Sequence, residues 1–144
     1  MPRINRSALV MFSAEQMFKL VNDVHAYPQF LPGCVGSQVH EQGEDYMTAS
    51  VEVAKAGIAK TFTTRNELEP HHRISMQLVD GPFSKLMGWW TFTPLDVDAC
   101  KVEFELDFEF TNRLVELAFG QVFRELVGAM VNAFTHRAKE VYGV

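Results

Sequence analysis

The sequence predicts an α+β fold in which an antiparallel sheet lies against one long C-terminal helix. Two stretches carry that expectation. From Lys101 to Phe110 every second residue is apolar (Val102, Phe104, Leu106, Phe108, Phe110) and every intervening one is charged, the pattern of a strand with one buried and one solvated face. Residues 112 to 142 contain no proline, and Val115, Phe119, Val122, Leu126 and Met130 recur at helical spacing, with Phe123, Val127, Phe134 and Val141 widening the stripe. A helix of that length spans about 45 Å. Gly120 and Gly128 each cost about 1 kcal/mol relative to alanine in a helix interior, which predicts a bend or a close approach, with the kink at Gly120.

The remaining elements follow in chain order. Residues 3 to 11 are β-prone. Ser13, with Gln16 three residues on, forms a capping-box signature, and Phe12 and Met17 suit a hydrophobic staple. Met17, Leu20, Val21 and Val24 then continue one apolar stripe of a short helix, which Pro28 and Pro32 end. His25 to Gly36 reads as a loop or short helical turn. From about residue 35 to 111 strands alternate with turn signals at Gly43–Asp45, Ala56–Gly57, Glu69–Pro70, Asp80–Pro82 and Pro94–Asp96.

With 144 residues, 47% hydrophobic and 22% charged, the chain suits one domain over residues 1–144, with a real core and no linker. A formal charge of -5 lacks the footprint of a non-specific nucleic-acid binder, and no direct DNA binding is expected. Two widely spaced cysteines, Cys34 and Cys100, argue against a disulfide framework or a zinc site. No signal-peptide-like or membrane-spanning run appears, so the expected compartment is the cytoplasm.

No catalytic residue and no metal site is expected. The five histidines form no ligand spacing, and the adjacent His71 and His72 would point to opposite faces of a strand. Neither GxSxG, HExxH nor a phosphate-binding glycine loop occurs. The better signal is a binding one. Ile58, Phe62 and Leu68 share strand parity with Lys60, Thr64 and Asn66, which puts polar groups on an otherwise apolar inner face. Either these line a hydrated cavity and meet a ligand's polar head, or a bulge or an open sheet end lets them reach solvent. Trp90 shares parity with Phe92 and is expected to face inward, whereas Trp89 is expected to face out unless a bulge near Gly88 changes the register. Tyr27, Phe30 and Leu31, flanked by prolines, form either a lid over the open end of the sheet or a plug of the core. Twelve phenylalanines suit the wall of a cavity or an aromatic-rich core equally.

The ordered segments YPQFLPGC (27–34), KAGIAKTFTTRNEL (55–68), LVDGPFSKLMGWWTFTPL (78–95), VEFELDFEF (102–110) and MVNAFTHRAKEVYG (130–143) resemble bacterial START-like proteins of the coenzyme Q-binding, polyketide cyclase/dehydrase-type family. The resemblance implies a single lipid-binding domain with a helix-grip fold, in which a seven-stranded antiparallel sheet wraps the C-terminal helix around an apolar cavity. It also implies two roles. One is non-enzymatic binding of a hydrophobic small molecule, ubiquinone or another polyprenyl quinone, in support of respiration. No cofactor is required, and transient membrane contact would exchange the ligand. Its tail would lie along Phe62, Met76, Trp90, Phe104, Phe108, Phe123, Val127 and Met130. The other role is that of a toxin docking on the large ribosomal subunit and blocking subunit association, with Arg3, Arg6, Lys55, Lys60, Arg65 and Lys85 as a candidate basic patch.

Overall fold

The computed structural model describes residues 3–55 and 57–143. Its elements are β1 (Arg3–Val10), α1 (Ala14–Asn22), a 3-10 segment (Val24–Gln29), β2 (Cys34–Gln42), β3 (Tyr46–Lys55), β4 (Ile58–Glu69), β5 (Arg73–Asp80), β6 (Phe83–Asp96), β7 (Ala99–Phe110) and α2 (Arg113–Tyr142). All seven strands join one antiparallel sheet in the order β1-β7-β6-β5-β4-β3-β2. Strands β2 to β7 pair in sequence, and β1 closes on the last of them, with Arg3 opposite Asp107 and Val10 opposite Cys100.

The closest backbone approaches of α2 to the sheet are to β1 and β7 on one side and β3 and β4 on the other, flanking the central β5 and β6. Five strand spacings of about 4.8 Å separate β1 from β3, twice the width of a helix. The sheet therefore curves around α2, and the space between them is greatest over its middle strands. This is the helix-grip architecture, with the short helix α1 after the first strand.

Local chemistry accounts for the element ends. The capping box forms as its spacing predicts: Gln16 N donates to Ser13 Oγ at 3.1 Å and Ser13 N to Gln16 Oε1 at 2.9 Å. Asn112 Oδ1 accepts from Val115 N at 2.9 Å and starts α2. In β7 all five alternating apolar residues are buried. Two expectations for α2 are corrected. The helix runs unbroken through Gly120, whose backbone is packed near the side chains of Arg124 and Glu116. Val141 is exposed, and Tyr142, whose hydroxyl donates to Gln16 O at 3.1 Å, ties the last turn to α1 instead. The expected turn at Ala56–Gly57 falls partly outside the described residues, since Ala56 is not among them.

Much of the phenylalanine forms a solid aromatic block. Phe123 on α2 sits 4.8 Å from Phe83, 5.0 Å from Phe108 and 5.9 Å from Phe119, ring centroid to centroid. The Phe108–Phe123 pair is edge-to-face and the other two are tilted; aromatic pairs at such distances contribute about 0.5–1.5 kcal/mol each beyond the area they bury.

Candidate ligand-binding cavity

A cavity of about 60 Å³ lies between the central strands and α2. Strand parity supplies its sheet wall: Ala49 and Val51 from β3, Phe62, Thr64 and Asn66 from β4, Met76 from β5, Leu86 and Trp90 from β6, Phe104 and Leu106 from β7. Phe123, Leu126, Val127 and Met130 of α2 face them, and Val24, Tyr27 and Leu31 close one side. Trp90 is held by stacking on Phe104 at 4.4 Å and by an edge contact to Phe134 at 5.3 Å. Gly88 lets the wall pack this closely. A Cβ there would lie 2.7 Å from the Met76 methyl and 2.8 Å from Leu106 Cδ1. An apolar cavity of about 150 Å³ accepts a benzene ring, so this one is smaller than a single aromatic ring.

One polar pair interrupts the apolar lining. Thr64 Oγ1 donates to Asn66 Oδ1 at 2.8 Å, and both residues are only 7% exposed. Their cross-strand neighbours are apolar: Ala49 and Leu78 flank Thr64, and Met47 and Met76 flank Asn66. Asn66 Nδ2 makes no hydrogen bond to any described residue. Nδ2 is not among the sealed polar atoms that lack a partner, so it keeps accessible surface in a residue that lines the cavity.

The 3-10 segment is fastened from both ends. The Tyr27 hydroxyl donates to Val21 O and its ring meets Phe134 edge-on at 5.4 Å. Burial, with smaller contributions from Cys34 and Asp23, holds the Tyr27 phenol well above its ordinary pKa. Phe30 packs on Phe134 at 5.2 Å, and the Arg137 guanidinium lies 5.1 Å over the Phe30 ring while donating to Gln29 Oε1 at 2.9 Å.

Eleven of the fourteen candidate binding residues line this cavity: Tyr27, Leu31, Phe62, Thr64, Asn66, Met76, Trp90, Phe104, Phe123, Val127 and Met130. Three do not. Lys60 shares the parity of Phe62, but β5 begins its pairing at Thr63, so Lys60 stands past the covered sheet and is exposed. Phe108 belongs to the aromatic block, and Phe30 caps Phe134 from outside. Of the twelve phenylalanines only Phe62, Phe104 and Phe123 reach the cavity. Val24, Ala49, Val51, Leu86, Leu106 and Leu126 line it as well, beyond the residues that the sequence assigns to binding. Leu86 had the signal, sharing strand parity with Trp90.

The proposed basic patch does not assemble. Arg3 pairs with Asp107 at 3.0 Å, Lys55 with Glu125 at 2.7 Å and Arg65 with Glu67 at 3.0 Å, on strands spread across the sheet. Beyond the cavity, His40 Nε2 lies 2.5 Å from Ser50 Oγ, which lies 2.6 Å from Thr63 Oγ1. No local sequence pattern pairs them. No group of three or more His, Cys, Asp or Glu among the described residues is placed to hold a metal ion, and no described helix is long and apolar enough to cross a membrane.

A sheet gripping a long helix over an apolar, partly polar cavity defines a START-like fold. The chain belongs to the family described as polyketide cyclase / dehydrase and lipid transport, whose model matches residues 10–135. It is similar to the ribosome association toxin RatA of Escherichia coli K12, with 66% identity covering 99% of this chain and 90% of that protein. It is also similar to the mitochondrial coenzyme Q-binding protein COQ10 homolog B of Xenopus laevis, with 31% identity covering 96% of this chain and 59% of that one. Among solved structures, the Zhui aromatase/cyclase of Streptomyces sp. R1128 shares the fold with a TM-score of 0.80 at 21% identity, covering 96% of this chain and 93% of that one.

Proposed function

We propose that this chain binds a hydrophobic, ring-bearing lipid without transforming it, and that the ligand is a polyprenyl quinone of the ubiquinone type. The observation that carries the reading is the cavity: apolar walls with a single buried polar pair, Thr64 and Asn66, suit a molecule with one polar head and a hydrocarbon tail. The likeness to a coenzyme Q-binding protein supports the same class. Tail burial supplies the affinity, at about 25 cal/mol per Å² of apolar surface removed from water. Because the cavity is smaller than a ring, entry requires side-chain movement. Met76 and Met130 are unbranched and adaptable, and the segment pinned by Arg137 forms one wall. Titration with a short-tailed ubiquinone, followed by quenching of tryptophan fluorescence, tests the reading. Saturable quenching that Trp90→Phe diminishes supports it; no binding by fluorescence or calorimetry refutes it.

A second reading rests on the 66% identity to RatA over nearly the whole chain: docking on the large ribosomal subunit, which hinders subunit joining. The acidic row Glu103, Glu105, Asp107 and Glu109 on the outer face of β7 favours contact with ribosomal protein over RNA phosphate. Co-sedimentation with large subunits and a shifted ribosome profile on overexpression would support it. Absence of both would remove it. An outer surface and an inner cavity are separate, so the two roles are compatible.

A further inference from the structure

We infer that Asn66 makes the cavity selective for the oxidation state of its ligand, favouring a ring carbonyl over the corresponding ring hydroxyl. The inference rests on the proposed quinone reading and goes one step past it, from the class of ligand to its redox form.

The argument starts from proton inventory. A threonine hydroxyl has one proton to donate, and that of Thr64 is committed to Asn66 Oδ1 at 2.8 Å. This bond fixes the carboxamide so that its oxygen faces Thr64 and its two N–H donors point elsewhere. Asn66 is more than nine-tenths buried and lines the cavity, and Nδ2 has no hydrogen-bond partner among the described residues. It is also absent from the sealed polar atoms that lack a partner, which are Asn22 Oδ1 and Arg137 Nε. Nδ2 thus keeps open surface in a residue otherwise covered, and that residue lines the cavity. Around it stand Met47 and Met76, which offer no strong acceptor. The cavity accordingly presents a donor in an apolar setting.

A donor so placed recognises an acceptor. The carbonyl oxygen of an oxidised quinone only accepts, and it completes the Asn66 bond without leaving a polar hydrogen behind. The hydroxyl of the reduced ring is a weaker acceptor. It also carries its own proton, for which the only acceptors beside Nδ2 are the spare lone pairs of Asn66 Oδ1 and Thr64 Oγ1, already bonded to each other, because the cross-strand neighbours are thioethers and hydrocarbons. A hydroxyl oxygen seated on Nδ2 whose proton reaches neither lone pair is buried half-paired, the unfavourable half of that exchange. One uncharged hydrogen bond corresponds to about a 3- to 10-fold preference for the quinone over its quinol.

The test compares a ubiquinone carrying two isoprene units with its dithionite-reduced quinol under anaerobic conditions, each titrated calorimetrically against the full chain. The expected result is tighter binding of the quinone by about 3- to 10-fold, with the ratio falling to near one in Asn66→Leu and diminished in Thr64→Val, which frees the carboxamide to turn. Equal affinity for the two forms in the unmodified protein, or tighter binding of the quinol, overturns the inference while leaving the quinone reading intact. If neither form binds, the quinone reading itself falls and the inference with it. Should Asn66→Leu fail to fold, Thr64→Val carries the assignment to this pair, and equal affinity in the unmodified protein overturns the inference in either case.

Discussion

Arg137, near the end of α2, reaches back 108 residues to donate a 2.9 Å hydrogen bond to Gln29, with its guanidinium over the ring of Phe30. That contact fastens the 3-10 segment to the helix and so closes one side of the cavity. Arg137→Ala removes a charge-assisted hydrogen bond and a cation–π contact, for an expected loss of about 1–3 kcal/mol. Amide exchange over residues 24–31 should quicken more than exchange in β6 and β7. Uniform exchange across the chain would mean that Arg137 does not hold this segment.

Phe123 and Lys60 should behave as opposites although the sequence pattern suggests both for the inner face. Phe123→Ala opens a hole amid Phe83, Phe108 and Phe119 and should cost about 3–5 kcal/mol in denaturant unfolding. Lys60→Ala should stay within about 0.5 kcal/mol of the parent and leave lipid titration unchanged. A binding defect in Lys60→Ala would contradict its placement outside the cavity.

That contrast shows how far the pattern of residues reaches. Strand parity assigns a face, and it does so correctly for Trp90 against Trp89, for Thr64 and Asn66, and throughout β7. Parity carries no information on where a neighbouring strand stops, which is why Lys60 looked like a wall residue. Nor can strand alternation separate a cavity wall from a packed block. Phe104 and Phe108 have the same periodicity, but Phe108 faces Phe83 and Phe123 while Phe104 stacks beneath Trp90 at the cavity. The Arg137 latch joins residues 108 positions apart and has no local signature at all.

The two thiols offer a pH test. Burial is the main cause holding both Cys34 and Cys100 above the ordinary thiol pKa. A group whose pKa rises on folding contributes stability that is complete below its unfolded value, about 8.5 for cysteine, and is lost as pH climbs beyond it. Melting temperature should therefore decline on the alkaline side, and less steeply in the Cys34→Ala, Cys100→Ala double variant. Native protein at pH 7.5 should resist a thiol-labelling reagent that modifies both cysteines in denaturant. Rapid labelling without denaturant would show that the core opens more readily than its packing implies.

The most direct test of the central claim is to purify the chain from its native host, extract it with organic solvent and identify retained lipid by mass spectrometry. The account predicts a polyprenyl quinone in near-stoichiometric amount, reduced in Asn66→Leu and unchanged in Lys60→Ala. An extract free of quinone, from protein that also fails to bind added quinone, would contradict it.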